Sequence, residues 1–124
     1  MTAHSRALGA FYGLALGDAL GMPTQSLSRE QIRARFGAIT GLEDADADQP
    51  IAPNMPAGSI TDDTEQAILV GELLVEGQGT IAPSVLAQRL IDWEARMRAK
   101  GSQDLLGPST KRAIDMILTG HTPE

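Results

Sequence analysis

The segment Thr61–Glu76 limits the fold more than any other stretch of the chain. Its interior, Ala67-Ile68-Leu69-Val70-Gly71 and then Leu73-Leu74-Val75, is apolar around nearly the whole helical circumference. Only Glu65, Glu72 and Glu76 mark a polar edge. A helix of this kind is stable only with protein on most sides. A second constraint lies near the N-terminus, where Gly9, Gly13, Gly17 and Gly21 recur every fourth residue in a helical pattern. Each costs about 1 kcal/mol relative to alanine inside a helix. The spacing makes one smooth stripe that admits close helix packing or, at its Gly17–Gly21 end, a ligand.

Composition agrees with helices. The chain holds 17 Ala and 14 Leu against 9 Ile and 3 Val, and aromatic residues are only 3%. A β-sandwich or barrel would need more β-branched and aromatic side chains. The predicted helices lie near 4–21, 28–36, 62–76, 83–100 and 108–119. Ser28 with Gln31 forms a capping box, Pro83 suits a first helical position, and Gly37, Gly101 and Gly120 are stops. The expected class is all-α. Asp44-Ala45-Asp46-Ala47-Asp48 falls in the long connection 38–60 and reads as solvated loop.

A net charge of −6 argues against an electrostatic nucleic-acid binder, and the lack of cysteine removes disulfides and thiol chemistry. The apolar stretch 7–19 is interrupted by Asp18 and too short to span a bilayer; it lacks a signal-peptide cleavage pattern. A cytoplasmic, non-membrane protein is expected.

The chemistry concentrates in Thr61-Asp62-Asp63-Thr64. These residues are good helix caps, and acidic groups suit the positive end of a helix. Yet one cap is enough, and adjacent carboxylates repel. Two carboxylates and two hydroxyls also form an all-oxygen cluster suited to Mg²⁺, Mn²⁺ or Ca²⁺. Spacing alone leaves both readings open.

Gly17-Asp18-Ala19-Leu20-Gly21-Met22-Pro23, followed by Gly58-Ser59-Ile60-Thr61-Asp62-Asp63-Thr64 and by the turn Leu106-Gly107-Pro108-Ser109-Thr110, resembles the N-terminal half of the ADP-ribosylglycohydrolase family. The resemblance covers almost the whole chain. It implies the N-terminal portion of a compact multi-helix fold. The implied activity is hydrolysis of the glycosidic bond between ADP-ribose and an acceptor, with two Mg²⁺ (or Mn²⁺) ions in the cleft. It makes Thr61, Asp62 and Asp63 metal ligands and gives Asp62 and Asp63 the catalytic role, with Thr64 closing the first helical turn. Gln25, Asp18, Gly107, Ser109 and Thr110 are substrate-binding candidates: Asp18, closing the glycine helix, reads either as hydrogen-bonded support of the cleft or as a substrate contact, and Gly107, Ser109 and Thr110 read either as an ordinary helix cap or as a helix N-terminus facing a pyrophosphate. The partner would be an ADP-ribose-type small molecule or an ADP-ribosylated protein.

Two departures qualify the match. The family's C-terminal Asp-x-Asp-Thr motif is absent, and the chain closes at His121-Thr122-Pro123-Glu124 without a closing element. Residues 1–124 therefore read as one incomplete helical domain, inactive alone. Gln25 also stands where family members often carry a glutamate, and glutamine cannot shuttle a proton at neutral pH. The alternative is a non-catalytic binding or interaction module in which Thr61-Asp62-Asp63-Thr64 is only a helix cap. In either case the apolar third helix predicts an exposed patch above ~600 Å² beside the motif, able to mediate association.

Overall fold

A computed structural model of the chain describes residues 1–102 and 106–121. The chain ending at Thr122-Pro123-Glu124 lies outside the described residues. Among the described residues five α-helices follow one another: α1 (Ala3–Gly21), α2 (Arg29–Phe36), α3 (Asp62–Glu76), α4 (Pro83–Ala99) and α5 (Pro108–Leu118), with a 3₁₀ turn at Met22–Thr24 after α1. The described residues contain no strand, so the protein is all-α. None of its described helices is long and apolar enough to cross a membrane. The chain divides into two compact parts, Met1–Glu65 and Gln66–Glu124, with the boundary inside α3.

The second part is built around apolar side chains. Leu69 and Leu73 from α3, Ala87, Leu90, Trp93 and Met97 from α4, Leu106, and Ile114 from α5 form one buried cluster. Their spacing along α4 places one residue per turn on the same face. The turn from α3 to α4 is closed by Gly77, whose amide donates to the Leu73 carbonyl at 2.9 Å. A Cβ at Gly77 would lie 1.9 Å from the Thr80 carbonyl oxygen, so only glycine fits.

The first part is held differently. Thr2 caps α1, its hydroxyl accepting from the Ser5 amide at 3.1 Å. Ala19 is the only buried residue of this helix. Ser28 and Gln31 make the expected capping box around the start of α2. The apolar cluster of this part is small: Met22, Ala45 and Ala52, with Met55 packed against them.

Two expectations are corrected and one is sharpened. No atom lies within 4 Å of a Cβ built at Gly9, Gly13, Gly17 or Gly21, so the stripe does not serve close helix packing among the described residues. The acidic run is a loop with its three aspartates exposed, as expected, and it is also tied down. Arg35 of α2 donates to both carboxylate oxygens of Asp48, at 2.7 and 2.8 Å, and to Asp46 at 3.3 Å. Asp44 accepts from the Ala57 amide at 2.7 Å, and Ala45 is buried. The exposed large apolar side chains also concentrate less on α3 than expected. Ile68, Leu74 and Val75 are exposed there, whereas α1 exposes Leu8, Phe11, Tyr12, Leu14, Leu16 and Leu20. The reason is that α3 gives Leu69 and Leu73 to the second part's core, while α1 buries only Ala19 among the described residues.

Candidate functional site

Asp18, in the last turn of α1, organises the site. One of its carboxylate oxygens accepts from the Thr61 hydroxyl at 2.7 Å. The other accepts from the Thr61 amide at 2.8 Å, the Thr64 hydroxyl at 2.5 Å and the Thr64 amide at 3.3 Å. Thr61 and Thr64 are both buried. The first helical bond of α3, from the Glu65 amide to the Thr61 carbonyl at 3.1 Å, starts beside this bracket. Amides at a helix start have no partner within the helix. Here a carboxylate 43 residues away supplies one for Thr61 and one for Thr64. Its negative charge also suits the positive helix end. Burial pushes the Asp18 carboxyl up, but the hydrogen bonds from Thr64 and Thr61 together outweigh it. The group is held below its ordinary value.

Next to the bracket lies a cavity of about 310 Å³ lined by Leu14, Gly17, Asp18, Gly21, Met22, Gln25, Thr61 and Asp63. The Gly17–Gly21 end of the glycine stripe thus forms wall rather than helix contact. The hydroxyl hydrogen of Thr61 is committed to Asp18, so its oxygen presents lone pairs only. Asp63 is exposed and lines the cavity. Asp62 is half-buried and engaged in an interaction of its own, and it is not among the lining residues. Thr64 turns inward to the bracket. Gln25 is half-buried and follows the 3₁₀ turn, its amide donating to the Met22 carbonyl at 3.4 Å. Gly107, Ser109 and Thr110 belong to the other part of the chain. There Gly107 occupies the position before α5 without a side-chain cap bond.

The donors fit a hard cation in kind. The Thr61 hydroxyl oxygen and the Asp63 carboxylate are both oxygen ligands at one cavity, and a ligating hydroxyl oriented by a carboxylate behind it is the usual arrangement around metals. They do not complete a coordination shell. Among the described residues no three His, Cys, Asp or Glu side chains gather closely enough to hold a metal.

Sequence reasoning gave Thr64 only a helix-closing role and did not single out Gln49. The side chain of Gln49 is buried and donates to the Gln25 carbonyl at 2.7 Å. Nothing in the pattern around it, an acidic run followed by proline, signals a buried amide. Thr64 had a signal: it lies three residues after Thr61, the spacing of neighbours on one helical face.

The chain is similar in sequence to proteins of one family. The ADP-ribosylglycohydrolase profile matches residues 1–124. An uncharacterized protein of Escherichia coli K12, YegU, is 36% identical over 115 residues, covering 93% of this chain and 34% of the relative. An uncharacterized protein of Archaeoglobus fulgidus is 35% identical over 87% of this chain and 32% of its own length. The ADP-ribosyl-[dinitrogen reductase] glycohydrolase of Rhodospirillum rubrum is 32% identical over 73% of this chain and 29% of its own. The chain spans about a third of the length of these curated relatives. With the match running over residues 1–124, the chain belongs to the ADP-ribosylglycohydrolase family.

Proposed function

We propose that this chain carries the N-terminal share of a metal-dependent site that hydrolyses the glycosidic bond between ADP-ribose, or a related ribosyl group, and an acceptor. One observation carries the reading. Asp18 already supplies the helix-start amides of α3 with an acceptor, so Asp63 is not needed as a cap and stands at the cavity with the lone pairs of Thr61. The glycohydrolase of Rhodospirillum rubrum among its relatives supports the reaction class.

In this reading Thr61 and Asp63 hold Mg²⁺ or Mn²⁺, with Asp62 as a further ligand, and two ions complete the site with ligands from elsewhere. A bound cation of this type polarises a sugar oxygen or a water and neutralises developing charge. The chain's own residues do the rest. Asp18 fixes the rotamer of Thr61 and directs its lone pairs away from the bracket. Asp62 and Asp63 are the carboxylates available to accept the proton of the attacking water. Gln25 offers a donor and an acceptor to a ligand but carries no proton. The reading assigns the protein to the cytoplasm. It also expects the 124-residue chain by itself to bind divalent metal weakly and to release no ADP-ribose.

The competing reading, a module whose motif only caps a helix, makes a different prediction. Mn²⁺ titration followed by paramagnetic relaxation should show saturable binding that Asp63→Asn abolishes and that Asp115→Asn leaves unchanged. No binding, or equal binding by the Asp63→Asn chain, would favour the cap alone.

A further inference from the structure

We infer that Gln49 is a positioning residue for the cavity: its carboxamide holds the backbone of Gln25, keeps that side chain in the cavity wall, and so sets how the site receives an ADP-ribose-type ligand. The ligand half of this inference rests on the reading given above; the positioning half does not.

Gln49, Thr61 and Thr64 are the buried polar side chains among the described residues, and the other two belong to the Asp18 bracket. A buried carboxamide is costly unless its donor and acceptor are both used. Here both are. Nε2 donates to the Gln25 carbonyl at 2.7 Å across 24 residues of chain. Oε1 accepts from the Ile51 amide at 2.6 Å and from the Ala52 amide. Gln25 is followed by Ser26 at φ +61°, a left-handed conformation that a non-glycine residue keeps only when its surroundings hold it. Gln49 fixes the backbone immediately before that turn.

The support behind Gln49 is itself firm. The Ala45 amide donates to the Met55 carbonyl at 2.9 Å, and the Asp46 carbonyl accepts from the Gln49 and Asn54 amides at 3.1 and 3.2 Å. Ala45 and Ala52 pack with Met22, which lines the same cavity as Gln25. The wall from Met22 to Gln25 therefore rests on the 45–55 loop through apolar contact at one end and one carboxamide at the other. Arg35, gripping Asp46 and Asp48, ties α2 to that loop.

A carboxamide suits this place because it donates at one atom and accepts at the other. Gln49→Glu keeps the acceptor for Ile51 and Ala52 but sets a carboxylate oxygen against the Gln25 carbonyl. The first measurement needs no ligand. In ¹⁵N spectra of the chain, Gln49→Glu should move the Gln25 side-chain and Ser26 amide signals while the Ile51 and Ala52 amides stay protected from exchange. Gln25 signals left in place would overturn the positioning role. Gln49→Met, which removes both partners but keeps the volume, is the second variant should the glutamate unfold the loop; its Gln25 signals must move as well. The second measurement titrates ADP-ribose with Mg²⁺. Gln49→Glu should weaken binding about tenfold when residue 25 is glutamine, and have no further effect in a Gln25→Ala chain. Equal weakening in both backgrounds would mean a general structural role and overturn the inference. A wild-type chain that binds no ADP-ribose would overturn the ligand half of this inference, while the Mn²⁺ titration decides the functional reading and the Gln25 signals decide the positioning half.

Discussion

The two parts of the chain use opposite means of holding together. Among the described residues, those from Gln66 onward bury eight apolar side chains in one cluster, with Trp93 at 3% exposure. The cluster of the residues up to Glu65 holds three, two of them alanines, with Ala19 and Pro23 buried outside it. They rely instead on polar brackets: Asp18 on Thr61 and Thr64, Gln49 on Gln25, and Arg35 on Asp46 and Asp48. The difference explains why the candidate site lies in the first part. Carboxylates and free lone pairs in an apolar cluster would cost several kcal/mol each without partners. A region fixed by directed hydrogen bonds can keep such groups oriented and still leave a cavity open beside them.

The sharpest test of the comparison removes one member from each kind of support. Trp93→Ala should destabilise the second part by about 3–5 kcal/mol, read from urea denaturation. Asp18→Ala should cost about 2–3 kcal/mol, because charged hydrogen bonds are lost and the helix-start amides lose their acceptor. Its signature is local: faster hydrogen exchange at Thr61 and Thr64. The pH dependence follows from the sign of the Asp18 shift. Its carboxyl is held below the ordinary value in the folded chain. The bracket therefore stabilises above the unfolded-chain value and fades as pH falls through the folded one. Asp18→Asn should remove that acid limb from the plot of thermal midpoint against pH. Gly77→Ala comes next, at about 1–2 kcal/mol, because the Thr80 carbonyl has to move. Arg35→Ala should have the smallest effect, one that disappears in high salt because the pair is solvent-exposed. A loss from Arg35→Ala as large as that from Trp93→Ala would break the contrast between the two parts.

Local signals in the sequence were enough to locate the helices. Ser28 with Gln31, Pro83, Gly37, Gly101 and Gly120 mark boundaries through contacts within a turn or two, and the observed helices start or stop within a residue of those expected. The motif Thr61-Asp62-Asp63-Thr64 was equally visible as a group. What could not be read was which of its members face the cavity and which face Asp18, since that depends on a contact 43 residues apart. The same limit hid Gln49, whose partner lies 24 residues away. It also hid the Arg35 clamp, which ties the exposed acidic run to α2. For α3 the apolar pattern signalled burial, but periodicity alone did not say that Leu69 and Leu73 would be covered while Ile68, Leu74 and Val75 stay exposed.

The remote cap on α3 also orders events in time. A helix capped by its own neighbouring serine can form its first turn as soon as a few residues become helical. At the start of α3 the Thr61 and Thr64 amides are met by a carboxylate on α1, and the intervening chain must close before they are met by it. Closing a loop of that length is entropically uphill before any contact rewards it. The bracket therefore belongs to the late side of the folding barrier. Removing Asp18 should then speed unfolding far more than it slows folding, and nascent chains that have not reached Thr64 cannot assemble the cavity.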